Sequence, residues 1–296
     1  MQKIIVIIGP TASGKSDLAV EIAEKFNGEI ISADSRQVYK GLDIGTGKIT
    51  KNEMRGVPHH LLDVVSPKRR FTAHDFIEKG TKAIREITKR GKVPIVAGGT
   101  GFYIDSLIGS VSLPHVPPNE IFREWLETKS EKELFAMLKT KDSKRAKTIQ
   151  KDNRRRLVRA LEIIEELGSV PKVTKVGPLY DVLWIGIAPD KKKLRGRIHK
   201  RLLARIKKGM VAEAKRLHEK GLSYKRMEEL GLEYRYLAKF LKKEISKDEM
   251  IEQLSAKIWQ YARRQMTYWR RNEKIRWIKA NKNSEINKLV SDFLGV

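Results

Sequence analysis

The stretch GPTASGKS, residues 9–16, has the G-x-x-x-x-G-K-[ST] pattern of a loop that binds phosphate groups. An apolar run, KIIVII at 3–8, precedes it, and a helix-like segment, DLAVEIAEKF at 17–26, follows it. A strand that leads through such a loop into a helix directs backbone NH groups at an anion on the positive end of the helix. The stretch therefore predicts a phosphate site. It does not say whether the phosphates are those of ATP or of another diphosphate.

Apolar runs alternate with amphipathic segments over the first hundred residues and return once later in the chain. They predict buried strands at 3–8, 28–32, 60–65, 93–98 and 180–189. Strands that alternate with helices favour a parallel sheet covered by helices. We predict an α/β fold whose core is a P-loop NTPase-like parallel sheet.

A second domain is indicated where prolines break this alternation, in SLPHVPPNE at 112–120. The chain that follows has a helical period and a high charge content as far as residue 177. We predict an inserted all-helical domain at 118–177, and a catalytic core formed by 1–117 and 178–296 with basic helices towards its C-terminus.

The charge of the chain points to a partner rich in phosphate. The 296 residues include 62 Lys and Arg but only 36 Asp and Glu, which gives a formal net charge of +26. Such an excess is typical of proteins that bind nucleic acid. A heat-adapted surface is the alternative, but that adaptation enriches both signs of charge.

The absence of cysteine and of long apolar runs limits the classes of protein and of site. With no cysteine in the chain, disulfides, thiolate metal sites and cysteine nucleophiles are excluded, so any metal is bound through oxygen. No apolar run approaches the 18 or so residues of a membrane span, and the start of the chain lacks the pattern of a signal peptide. We expect a cytoplasmic protein without a membrane partner.

Two carboxylates are candidates for chemistry beside the phosphate loop. Asp34 follows the predicted strand GEIISA, and Asp63 lies inside HLLDVV. Either could be the aspartate that assists a metal in an NTPase. Asp34 could equally be a general base, because the carboxyl ends of strands are where α/β sheets place ligands. It could also simply cap a turn in ADSRQ.

Three basic segments could line a groove for a phosphate backbone: 139–159, 191–209 and 256–279. In the first, Arg155 and Arg159 are four residues apart on one helical face. The third interleaves aromatic residues with cations. Four of its residues recur at helical spacing, which predicts core packing rather than base stacking: Trp259, Ala262, Met266 and Trp269.

Taken in order, the motifs resemble the signatures of the tRNA dimethylallyltransferase family, also called tRNA isopentenyltransferases. The segments that carry the resemblance cover almost the whole chain: GPTASGKS (9–16), SADSRQVYKGLDIGTGK (32–48), VPHHLLDVVSP (57–67), GGTGFYIDSLI (98–108), DNRRRLVRALE (152–162), LGLEYR (230–235) and ARRQMTYWRR (262–271). The chain departs from the family pattern at Gly47 and Ile49, where Ala and Pro are frequent. It also departs at Glu233, where a second glycine is expected.

The resemblance implies transfer of a dimethylallyl group from dimethylallyl diphosphate to N6 of adenosine 37, on the 3′ side of the tRNA anticodon, with release of diphosphate. The loop would then hold the diphosphate of a prenyl donor and would not split ATP. The partners it implies are the tRNA anticodon stem-loop and dimethylallyl diphosphate, and its cofactor is Mg²⁺. We expect the chain to act as a monomer.

The resemblance also implies roles for individual residues. The catalytic residues would be Asp34 as the base, Lys15 and Thr100, with Ser16 on the metal. The diphosphate would be bound by Gly9, Pro10, Thr11, Ala12, Ser13, Gly14, Lys15 and Ser16. The tRNA would be contacted by Asp34, Ser35, Arg36, Gln37, Thr100, Arg123, Arg155, Arg156, Leu157, Val158 and Arg159.

Other functions fit the phosphate loop alone. A P-loop kinase of a metabolite or nucleotide could use the arginines at 154–159 as a lid, but it has no need of such a high positive charge. A prenyltransferase acting on free AMP would share the loop and Asp34 without needing basic helices. An RNA-dependent ATPase would hydrolyse ATP when RNA is bound and would keep RNA binding in Asp34→Ala.

Overall fold

A computed structural model describes residues 1–111, 113–171, 179–278 and 283–296, without the side chain of Asn283. The chain forms two compact units. One comprises Met1–Ser110 together with Gly177–Val296, and the other comprises Val111–Val176.

The first unit contains all six strands of the described residues and ten helices. Before the second unit, its elements are β1 Lys3–Ile8, α1 Lys15–Lys25, β2 Gly28–Ala33, α2 Lys51–Met54, β3 His59–His60, α3 Ala73–Lys89, β4 Val93–Gly98 and α4 Gly101–Leu107. The second unit contains α5 Glu120–Glu127, α6 Glu131–Lys141, α7 Ser143–Ala146 and α8 Arg154–Leu167. The first unit resumes with β5 Asp181–Ile187, α9 Lys191–Lys207, α10 Met210–Glu219, α11 Tyr224–Leu230, α12 Leu232–Leu241, α13 Lys247–Trp269, β6 Arg276–Ile278 and α14 Asn283–Leu294.

The six strands form one parallel sheet in the order β3-β2-β4-β1-β5-β6. The central strand β1 is apolar almost throughout because both of its faces are covered. Ile4, Val6 and Ile8 pack into one core and Ile5 and Ile7 into the other, as the alternation of a strand requires. Each fully buried isoleucine contributes about 1.5–3 kcal/mol to stability. The predicted α/β fold with a parallel sheet is confirmed.

Most of the predicted strands are observed, but the prediction for HLLDVV at 60–65 was wrong. Only His59 and His60 pair with β2. Leu61 and Asp63 then adopt left-handed backbone angles, φ 64° and 56°, which extended strand geometry does not allow. The strand β6 was not predicted, because its three residues lie in the C-terminal part of the chain, where the charge pattern predicts basic helices.

The second unit has a helical core of its own. Helices α5, α6 and α8 contribute buried leucines, and Ala146 and Ile149 are buried in the same cluster. Helix α8 begins at Arg154 after Asn153, whose side chain caps it by accepting from the Arg156 amide at 3.2 Å. The part of the predicted helical domain that falls at 172–177 lies outside the described residues.

Candidate active site at the carboxyl edge of the sheet

Three segments meet where the parallel strands end. The phosphate loop follows β1, Asp34 follows β2, and Thr100 follows β4. The Thr100 amide donates to the Ala33 carbonyl at 3.1 Å, and the Thr100 hydroxyl oxygen accepts from the Ser35 amide at 3.1 Å. Gly98 makes this approach possible, because a Cβ there would overlap the Ala33 carbonyl. The geometry brings the phosphate loop, Asp34 and Thr100 to one edge, as α/β folds do with ligand sites.

The phosphate loop is a tight turn with two left-handed residues, Ala12 at φ 61° and Gly14 at φ 94°. The Ser13 amide donates to the Pro10 carbonyl at 3.2 Å, and the Lys15 ammonium group donates to the same oxygen at 3.4 Å. Helix α1 begins at Lys15, so its first turn faces into the loop. This arrangement suits an anion at the N-terminus of an 11-residue helix, which makes the loop the candidate anion site.

Two predicted diphosphate ligands have amides that are already occupied. The Thr11 amide donates to Gln265 Oε1 at 2.9 Å, and the Ser13 amide is held by Pro10. Any contact of Thr11 or Ser13 with a diphosphate therefore uses their side chains. The Ser13 hydroxyl is buried and has no hydrogen-bond partner among the described residues. A hydroxyl in this state is suited to donate a hydrogen bond to a bound anion.

The ammonium group of Lys15 lies in a strongly perturbed environment. Burial lowers its pKa to about 8, the Asp34 carboxylate opposes that shift, and the Arg201 guanidinium adds to it. Arg201, on α9, is a second cation close to the loop, since its charge acts on Lys15. The sequence had indicated it only as part of the basic segment 191–209, because nothing local distinguishes it from its neighbours.

Asp34 caps the turn that follows β2. Its Oδ1 accepts from the Arg36 amide at 2.8 Å and from the Gln37 amide at 3.3 Å, and the residue is half-buried. The turn-cap interpretation is thus confirmed, and it does not exclude chemistry. The cap orients the carboxylate at the strand end, next to Lys15 and to the loop that carries Thr100.

Asp63, the other candidate carboxylate, is held elsewhere. It lies past the end of β3 and pairs with Lys48 at 2.6 Å. The same ammonium group pairs with Asp43 at 2.6 Å and donates to the Tyr39 carbonyl at 2.9 Å. This network fixes the segments 39–48 and 63 to one another and gives Asp63 a structural role.

Gln37 joins the turn to the segment that departs from the family pattern. Its Oε1 accepts from the Ser32 hydroxyl at 3.4 Å, and its Nε2 lies 3.5 Å from the Gly47 carbonyl oxygen. Gly47 has a left-handed φ of 60°, where the alanine frequent in the family would be strained.

The second departure, Glu233, has a partner in Arg205. Arg205 Nη1 lies 3.1 Å from Glu233 Oε1 and donates to the Gly45 carbonyl at 2.6 Å. Both side chains are largely buried, at 16% and 14% exposure. The Arg205 side chain also lies within 4 Å of where a Cβ of Gly47 would be. The departures at 47 and 233 therefore surround one arginine.

Tyr261 lies at the candidate site, and nothing in the sequence distinguishes it from the other aromatic residues of its segment. Burial raises its pKa to about 12, the Asp34 charge adds to the shift, and its hydroxyl group hydrogen-bonds the Thr100 side chain. Among the aromatic residues of its helix, Trp269 is a core residue as predicted, at 1% exposure. Ala262 is also buried, whereas Trp259 and Met266 are half-buried.

The predicted tRNA contacts at 123 and 155–159 all lie in the second unit and differ in their surroundings. Arg123 lies 2.6 Å from the buried Glu162 carboxylate. Arg159 donates to the Val116 carbonyl at 2.8 Å. Of the rest, Leu157 and Val158 have buried side chains, while Arg155 and Arg156 are exposed.

The donor atoms at the loop suit Mg²⁺ held mainly by its substrate. Among the described residues no three His, Asp or Glu side chains cluster as a metal cage. Ser16, the second residue of α1, offers an exposed hydroxyl beside the anion site. Mg²⁺ commonly binds through few protein oxygens, with water and phosphate oxygens as its other ligands, so the residues present fit this ion.

Within the described ranges, the helices are too short or too polar for one of them to cross a lipid bilayer.

Comparisons with known proteins agree with this geometry. The sequence profile of the family described as IPP transferase matches residues 37–272. A protein of Anoxybacillus flavithermus named tRNA dimethylallyltransferase is 39% identical over 298 residues, covering 99% of this chain and 95% of that protein. One of Treponema denticola, named tRNA dimethylallyltransferase 2, is 43% identical over 283 residues, covering 93% and 95%.

Solved structures give the same result. The full-length tRNA isopentenylpyrophosphate transferase of Bacillus halodurans superposes with a TM-score of 0.75 at 34% identity, covering 100% of this chain and 96% of that one. A eukaryotic dimethylallyltransferase acting on tRNA gives a TM-score of 0.83 at 27% identity, covering 99% and 77%. The chain belongs to the IPP transferase family of prenyl-transferring enzymes.

Proposed function

We propose that this enzyme transfers a dimethylallyl group from dimethylallyl diphosphate to N6 of adenosine 37 in tRNA and releases diphosphate. The observation that carries the proposal is the meeting of the phosphate loop, Asp34 and Thr100 at one edge of the sheet, joined by the bond between Ser35 and Thr100. An anion site for the leaving group thus lies beside a candidate base for the acceptor amine.

In the proposed reaction, N6 of the adenine attacks the C1 carbon of the dimethylallyl group. The N6–C1 bond forms, the C1–O bond breaks, and its electron pair leaves with the diphosphate. Asp34 accepts the proton that N6 loses, which assists a weak nucleophile as the new bond forms. The turn cap from Arg36 and Gln37 holds the carboxylate in one orientation.

The leaving diphosphate would be stabilised by the N-terminus of α1, the Lys15 ammonium group and the Ser13 hydroxyl. Ser16, with the diphosphate oxygens, would hold Mg²⁺. When bound, that ion would neutralise part of the charge that develops on the leaving group. The remaining predicted diphosphate residues, Gly9, Pro10, Thr11, Ala12 and Gly14, would shape the loop around it.

We propose that the target adenosine leaves the stack of the anticodon loop and is held by the Ser35–Gln37 turn and Thr100. Enzymes that modify a base in a stacked nucleic acid need this extrusion. Arg123, Arg155, Arg156 and Arg159 are the proposed contacts to the anticodon stem-loop. Leu157 and Val158, whose side chains are buried, would instead hold α8 in the core of the second unit. The net charge of +26 supports a polyanionic substrate and weighs against a metabolite kinase. Action as a monomer and location in the cytoplasm stay predictions.

The test is incubation of the protein with unmodified tRNA, Mg²⁺ and dimethylallyl diphosphate, followed by mass analysis of the nucleosides. We expect an adenosine heavier by one C5H8 unit, and digestion into oligonucleotides should place it at position 37. Lys15→Ala is the control for the phosphate loop. If no modified adenosine forms but ATP is consumed in a parallel reaction, the kinase and the RNA-dependent ATPase take the place of this proposal.

A further inference from the structure

A buried glutamine connects two segments of the site that are far apart in sequence. Gln265 lies on α13 and is 6% exposed. Its Oε1 accepts from the Thr11 amide at 2.9 Å, and its Nε2 donates to the Gly99 carbonyl at 3.0 Å. Thr11 belongs to the phosphate loop, and Gly99 immediately precedes Thr100. One side-chain amide thus joins the loop of the diphosphate site to the segment that carries Thr100.

The bridge requires both functions of the amide and the absence of a side chain at residue 99. A Cβ at Gly99 would overlap the Gln265 amide nitrogen. A methionine at 265 has a similar length but would leave the Thr11 NH and the Gly99 C=O unpaired, which is costly in a buried position. An ionised glutamate would accept from Thr11 but repel the Gly99 oxygen. A protonated glutamic acid could make both bonds.

The face of α13 that carries Gln265 also packs against the start of α4. Residues 261, 265 and 268 follow helical spacing, and Tyr268 packs so closely on Gly101 that a Cβ there would overlap its ring. The Tyr268 hydroxyl donates to Asp105 Oδ2 at 2.5 Å, and Arg271 lies 2.6 Å from the same oxygen. Gln265 is therefore carried by a helix that is fixed to α4 on the far side of Thr100.

We infer that Gln265 is a positioning residue that sets the spacing between the diphosphate loop and the Thr100–Asp34 site. The inference rests on the proposed function. Transfer needs the C1 carbon of the donor and N6 of the acceptor in a near-attack arrangement, and a misplacement of about 1 Å costs roughly 100-fold in rate. The two hydrogen bonds of the Gln265 side-chain amide go to backbone atoms of Thr11 and Gly99. Gln265 acts through the Thr11 amide and the Gly99 carbonyl.

The test compares Gln265→Met and Gln265→Glu with the wild type in steady-state transfer assays between pH 6 and pH 8. Gln260→Met is the matched control, because Gln260 lies on the same helix but is exposed and accepts a hydrogen bond from Lys257 at 3.3 Å. Thermal melting of each variant defines the temperature at which all are folded. If Gln265→Met does not fold, Gln265→Glu carries the test, because its protonated form is nearly isosteric with glutamine.

For Gln265→Met we expect kcat to fall roughly 10- to 100-fold while KM for tRNA stays within about twofold. For Gln265→Glu, the ratio of its kcat to that of wild type should rise as the pH falls, because protonation restores the donor to Gly99. Gln260→Met should match wild type at every pH.

A kcat within about twofold of wild type in both Gln265 variants would overturn the inference. A displacement of the reacting groups lowers the rate by more than that. A uniform loss of activity that follows the folded fraction of the variant at every pH would also overturn the inference. If the wild type itself forms no modified adenosine, the proposed function fails and the positioning role fails with it, and that result is distinct from loss in the variants alone.

Discussion

Asp34 Oδ1 lies 2.8 Å from the Arg36 amide nitrogen, so the proposed base is also the cap of its own turn. Asp34→Asn separates these roles, because the asparagine oxygen still accepts from the amides but the side chain no longer takes a proton. We expect kcat to fall by at least about 100-fold with little change in donor affinity. Single-turnover transfer and donor binding would be measured. Turnover close to that of wild type would remove Asp34 as the base.

The pKa of Lys15 predicts how kcat/KM for the dimethylallyl donor depends on pH. Its pKa of about 8 in the free protein means that the ammonium form predominates below pH 8 and the neutral amine above it. Because the charged form attracts the diphosphate, kcat/KM for the donor should fall as pH rises through about 8, up to about tenfold per unit. Lys15→Arg should remove this limb, since arginine stays charged. An unchanged high-pH limb in Lys15→Arg would assign it to another group.

Substitutions of the arginines of α8 should have different effects, because these side chains differ in their contacts. Arg155→Ala with Arg156→Ala should weaken tRNA binding and lower the slope of log K against log salt by roughly 1–2, because each phosphate contact adds about 0.7–0.9. Binding would be measured by filter retention from 50 to 200 mM salt. Arg159→Ala should instead lower the stability of the second unit, since its guanidinium holds the Val116 carbonyl. A change in donor affinity alone would place Arg155 and Arg156 in a diphosphate lid.

Replacement of Glu213, which lies outside the phosphate loop, should have a large effect on the free energy of unfolding. Its buried carboxylate accepts from the amides of Asp43, Ile44 and Gly45 at 2.7–3.0 Å and from the Tyr234 hydroxyl at 2.7 Å. Glu213→Ala leaves these donors unpaired and should lower the free energy of unfolding by about 3 kcal/mol. Glu219→Ala on the same helix, with an exposed side chain, should cost less than about 0.5 kcal/mol. Urea denaturation measures both.

The sequence predicted strands correctly where a short run of residues determines the structure by itself. The strand bounds 3–8 and 93–98 were predicted as observed because these runs are apolar and are followed directly by glycine, at Gly9 and Gly99. HLLDVV has the same apolar character, yet only its first residue continues the strand begun at His59. The left-handed angles at Leu61 and Asp63 belong to a loop held by Lys48, whose position no short window of sequence reveals.

The part of the site that could not be predicted depends on distant contacts. The resemblance placed Asp34, Lys15 and Thr100 in one site, and the fold brings their segments together. Gln265 reaches Thr11 across 254 positions and Gly99 across 166, and its side chain carries no local signal of either partner. Leu157 and Val158 were predicted as RNA contacts from their motif, and their helical period equally fits the core positions that they occupy.

The two ends of the chain close the same side of the sheet. Ile286 and Val290 of α14 pack in the core that contains Ile5 and Ile7 of β1, and the Lys3 ammonium group donates to the Leu294 carbonyl at 3.2 Å, 291 positions away. During synthesis the second unit can bury its own leucines soon after its last helix leaves the ribosome, whereas the face of β1 that holds Ile5 and Ile7 is covered by α14 only after Val290 has been made. On ribosome-bound chains of increasing length, protease resistance should therefore arise first in the inserted helices. Until α14 has packed, this face of the sheet remains the vulnerable part of the nascent protein.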